Sequence, residues 1–168
     1  MATEHSGNGS DAPGQRTRPV TGLRLRALPR CSDPAFPVLH DYFEIVYCPL
    51  VGATSVYLAR ALARHVTAAG GPVTICSAEL AQELGLRSSH DEPIGKNSPL
   101  AKAIDRLAHH RLVEHLETAT LGVVMEVPPL SGGALGRLPD SARRDHDCLV
   151  GSLDLEMGTR VSSVERGD

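Results

Sequence analysis

Near residue 110 the chain changes its hydrophobic period, and that change constrains the fold more than any other feature. In "NSPLAKAIDRLAHH" (97–110), Leu100, Ala103, Ile104 and Leu107 recur at steps of three and four, the spacing that lines one face of a helix. Lys102, Asp105, Arg106 and His109 fall on the opposite face. Ser98 supplies an N-cap hydroxyl. Pro99 takes the first helical position, where its missing N–H has no partner to lose and its φ is already helical. "RLVEHLE" (111–117) and "LGVVMEV" (121–127) follow as β-branched apolar runs around a short polar turn. They predict a hairpin, closed by Pro128 and Pro129.

The segments upstream set the context. Residues 54–69 predict a helix with Val56, Ala59, Ala63 and Val66 on its buried stripe, widened by Leu58 and Leu62, and with Arg60 and Arg64 opposite. Gly70, Gly71 and Pro72 end it, and "VTI" (73–75) is long enough for one small strand. "SAELAQELGL" (77–86) predicts a second helix with Ser77 as N-cap, Leu80, Ala81 and Leu84 inward, and Gly85 as a left-handed stop. "RSSHDEPIGKN" (87–97) reads as a polar loop. Three of the five aromatics gather in "HDYFEIVYCPL" (40–50), which predicts a helical turn or two against the core. "GLRLRALPR" (22–30) alternates apolar and basic residues and suits either a short strand or an extended arm. Residues 134–150 suggest one or two short helices.

Composition removes several function classes. With two Phe, three Tyr and no Trp, the chain lacks the aromatics of a base-stacking platform. The net charge is −3, but it is unevenly spread. Arg16, Arg18, Arg24, Arg26 and Arg30 occur with no acid between residues 12 and 30, whereas residues 140–168 hold seven acids against four Arg. The four cysteines are scattered without a CxxC pair, so free thiols in a cytoplasmic protein are expected. No apolar run is long enough to span a bilayer, and the first fifteen residues lack the apolar core of a signal peptide. Ser77 and Ser98 are capping residues without a positioned base, and "SGG" (131–133) is too short to cradle phosphate. The histidine pair 109–110 reads as surface residues, because neighbours on a helix diverge by about 100°. No catalytic constellation, metal site or cofactor site is expected.

Helix, strand, helix, loop, helix and hairpin is the element order of the winged helix-turn-helix, and the motifs agree with it. "VTICSAELAQELGL" and "NSPLAKAIDRLAHHRLVE" resemble the strand with second helix, and the third helix, of bacterial winged-helix regulators. "GKNSPLAKAIDRL", "VPPL" and "GRLPDSARRDH" more closely resemble a group of uncharacterised winged-helix proteins from GC-rich bacteria. The resemblance covers about residues 54–128. It implies a winged-helix domain (38–128), mainly α with a small β-hairpin, to which composition and local pattern add a flexible basic arm (1–37), a C-terminal helical extension (129–150) and a disordered acidic tail (151–168).

The functional expectation is a DNA-binding transcriptional regulator whose third helix enters the major groove of double-stranded DNA. On that helix Lys96, Asn97 and Ser98 stand at the entry, followed by Lys102, Arg106 and His109. The helix N-terminus with Ser98 or Asn97 can take a phosphate, and Lys102 or Arg106 a guanine edge. Glu114, Glu117 and Glu126 make the hairpin repel a backbone, a defect that the basic arm can offset. The alternative is a winged-helix module that binds a protein, for instance in the transcription machinery. A homodimer or partner contact through the first helix and residues 40–50 is also expected from their apolar excess.

Overall fold

The computed structural model describes residues 22–29, 34–86 and 97–164, with side chains to residue 152. In chain order the elements are β1 (Gly22–Ala27), β2 (Phe36–Pro37), a π-helical turn (Phe43–Tyr47), α1 (Cys48–Val51), α2 (Ala53–Ala69), β3 (Val73–Cys76), α3 (Ser77–Glu83), α4 (Pro99–His109), β4 (Val113–Glu117), β5 (Thr120–Val123), β6 (Glu126–Val127), α5 (Gly132–Leu135) and α6 (Asp140–Val164). The helix–strand–helix–helix–hairpin order expected from the sequence runs from α2 to β5.

The architecture is mixed α/β rather than mainly α with a lone hairpin. Four strands form one sheet in the order β3-β1-β5-β4, and β2 pairs with β6 in a second, two-stranded sheet. The difference comes from β1. It lies antiparallel to β3 and parallel to β5, so residues 22–27 stand inside the sheet rather than in a flexible arm. The alternation in "LRLRA" explains why. Leu23 and Leu25 turn inward and are buried, while Arg24 and Arg26 stay in solvent. An arm with that pattern would leave two leucines wet.

Helix α2 is the centre of the core. Val56, Leu58, Ala59, Ala61, Leu62, Ala63 and Val66 are all buried, so the leucines beyond the main stripe find cover within the chain. Tyr42, Phe43 and Tyr47 are buried as well. Much of the apolar excess that suggested a partner surface is therefore consumed internally, while Ile45 and Tyr57 stay exposed on the same two segments. The π-helical turn carries these aromatics. It lies directly before Pro49, whose ring nitrogen cannot donate to a helical carbonyl.

Local signals explain most boundaries. Ser98 Oγ accepts the N–H of Ala101 at 3.1 Å, as a cap should. Gly85 takes φ 65° after α3, its N–H donating to Gln82 and that of Leu86 to Ala81, which completes the expected glycine stop. Ser77 departs from expectation. Strand β3 runs straight into α3, so Cys76 is the extended cap residue and Ser77 is already helical. Its side chain turns inward, and the buried hydroxyl has no hydrogen-bond partner. The segment expected as a tail also differs: α6 continues through residue 151 to Val164, and no proline interrupts it.

Candidate nucleic-acid interface

Helix α4 packs on α2 and β4, which leaves its far side open. Leu100, Ala103, Ile104 and Leu107 are buried as their spacing predicts, and this fixes the roll of the helix. Lys102, Asp105, Arg106 and His109 consequently face solvent. Of the remaining predicted residues, Asn97 is exposed in the preceding turn, Ser98 is half-buried, and Lys96 lies outside the described residues.

The N-terminus of α4 is less open to an anion than its position suggests. Pro99 has no N–H, Ser98 Oγ occupies that of Ala101, and Lys102 donates its N–H to Ser98. The cap thus uses donors that a phosphate would need. Positive charge gathers instead toward the other end. Arg106 and Arg111 carry it and are exposed, with His109 and His110 exposed between them. The His109 and His110 rings meet edge to face at 5.2 Å, because His110 is the cap residue rather than part of the regular helix. Burial, then the charges of His109 and Arg106, hold the His110 pKa below the usual imidazole value.

The Arg106 guanidinium lies close to the backbone of Gly52. A β-carbon on Gly52, at the corner between α1 and α2, would stand 2.9 Å from its Nη1. Gly52 takes φ 81° and ψ 149°, a conformation that side chains avoid. The corner therefore makes room for the guanidinium and limits where it can go.

Ion pairs occupy several cations elsewhere, whereas those of this face, like Arg24, Arg26, Arg137 and Arg144, have none among the described residues. Arg60 pairs with Glu44 at 3.1 Å, Arg64 and His65 with Glu83 at 3.2 and 2.8 Å, and Arg143 with Asp140. Among the described residues, Lys102, Arg106, His109, His110 and Arg111 have no carboxylate partner. Sequence reasoning missed Arg111, since its exposure follows from the tight turn into β4 and not from helical spacing.

The sheet contributes less to this surface than the sequence suggested. Arg24 and Arg26 alternate with buried leucines that face α2, so they project from the uncovered side of the sheet. They do not extend the exposed face of α4. Glu114 and Glu117 are exposed on β4. Among the described residues, no group of three or more His, Cys, Asp or Glu is placed to hold a metal ion, and no helix is long and apolar enough to cross a membrane. No protein family, curated protein or solved structure matches this chain.

Proposed function

We propose that this chain is a cytoplasmic DNA-binding transcriptional regulator of winged-helix type, with α4 as its recognition helix. The observation that carries the reading is the exposed face of α4, where Lys102 and Arg106 flank Asp105 and have no carboxylate partner among the described residues. Unneutralised side chains of this kind bind phosphate by releasing the counterions around DNA. Their fixed direction, set by the buried stripe beneath, suits a helix lying in a groove. The order helix, strand, helix, helix, hairpin supports the same reading.

The test is a salt titration of binding to random-sequence duplex DNA. Lys102→Ala/Arg106→Ala should remain folded, bind more weakly, and lose about two units of salt slope. Equal affinity for the double variant and the wild type would remove α4 from the interface. A second reading, a winged-helix module that docks on a protein, is favoured by the exposed Glu114 and Glu117 on the hairpin. It predicts no salt-dependent duplex binding at all.

A further inference from the structure

Among the described residues, α2, α3 and α4 each end on a left-handed residue, and they do not end alike. After α2 it is Gly70 at φ 66°, after α3 Gly85 at φ 65°, and after α4 Arg111 at φ 57°. The last two share one hydrogen-bond pattern. Gly85 and Leu86 donate to Gln82 and Ala81, as Arg111 and Leu112 donate to Ala108 and Leu107. Glycine reaches this backbone without the β-carbon clash that every other L-residue meets. At α4, then, the chain carries a strained arginine in the setting where α3 has glycine.

Packing does not account for the choice, because Arg111 is exposed and has no ion pair among the described residues. The helix dipole does not account for it either, since Arg106 and His109 already place basic groups in the last turn. Arg111 extends the cationic face past the end of the helix, immediately before the acidic strand β4. The C-terminal end of a recognition helix is a place where a protein meets the DNA backbone.

We propose that Arg111 is a phosphate contact of the DNA-binding surface, held by a left-handed backbone at the end of α4 where a glycine would be more stable. This rests on the reading of α4 as a recognition helix and extends it beyond the helix itself. The guanidinium supplies paired donors to a backbone phosphate at the point where the hairpin turns acidic.

The experiment compares the full-length wild type with Arg111→Gly, Arg111→Lys and Lys102→Ala/Arg106→Ala. Each is titrated with a short random-sequence duplex over a range of salt, and each is melted without DNA. Arg111→Gly should melt about 2 to 4 °C higher, since it removes strain. It should also bind roughly three- to tenfold more weakly at low salt, with a slope shallower by about one. Arg111→Lys, with the same charge on the same backbone, should retain the wild-type slope. If Arg111→Gly binds like wild type while the double variant is weakened, the inference falls and the DNA reading stands. A lower melting temperature for Arg111→Gly would also overturn it, by showing that the arginine serves the fold. If the wild type binds no duplex at low salt, the DNA reading itself fails and takes this inference with it.

Discussion

The hydroxyl of Tyr42 and Nδ1 of His146 are hydrogen-bonded at 2.8 Å across 104 residues of chain, and both side chains are buried. The same hydroxyl accepts the N–H of Leu130 at 2.9 Å. One phenol thus ties the aromatic turn, the segment after β6 and helix α6 together. Its ring stacks on Phe36 at 3.9 Å, and Tyr47 donates to the Pro128 carbonyl at 2.9 Å nearby. Burial raises the Tyr42 pKa, against a smaller lowering by the Leu130 N–H.

Tyr42→Phe should therefore destabilise the protein without altering its core volume. It leaves the Leu130 N–H and the His146 ring nitrogen without their partner, at about 1 to 3 kcal/mol. Urea unfolding measures this directly. An unchanged midpoint would mean that the phenol is not the tie between these segments.

Gly52→Ala should cost about 1 to 3 kcal/mol, because alanine resists the backbone at this corner. The new methyl would also meet the Arg106 guanidinium. Thermal unfolding gives the first effect. If Arg106 contacts DNA, a loss of affinity measured well below the melting temperature gives the second.

Leu25→Ala and Ile104→Ala should each cost roughly 2 to 5 kcal/mol, since both remove buried side chains from the packed core. Arg24→Ala, one residue along the same strand but exposed, should stay within about 0.5 kcal/mol. Equal denaturation midpoints for Leu25→Ala and Arg24→Ala would show that β1 does not lie in the sheet.

The Glu83 carboxylate joins α3 to α2 and has a pKa below the ordinary 4.5, chiefly through its hydrogen bond from His65 and then that from Arg64. A depressed carboxylate pKa means the folded state holds its proton less tightly than the unfolded chain. The contribution to stability is thus present above about pH 4.5 and is lost as the pH falls through the lower folded value. The site is exposed, so screening limits the effect to about 0.5 kcal/mol. Glu83→Gln should be slightly less stable than wild type at pH 6, with the gap closing as the pH falls below the ordinary carboxylate value. A gap that is constant with pH would rule out the ionised carboxylate as its source.

What the sequence determined by itself is local. The span of α2, the Ser98 cap, the Gly85 stop and the exposure of Lys102, Arg106 and His109 all follow from spacing and from residues a few positions apart. These features depend on backbone geometry over one or two turns, which a short sequence window contains. The alternation of "GLRLRA" was legible in the same way, but it suits any sheet with one covered face. Only the tertiary structure decided that this strand lies between β3 and β5, because strand neighbours are selected by packing across distant parts of the chain. The same holds for the functional face. Spacing shows that Arg106 points outward, while its approach to Gly52 and its lack of an ion pair among the described residues depend on where the other elements pack. The Tyr42–His146 hydrogen bond is of this kind too, since the burial that makes it strong exists only once α6 has closed over the aromatic turn.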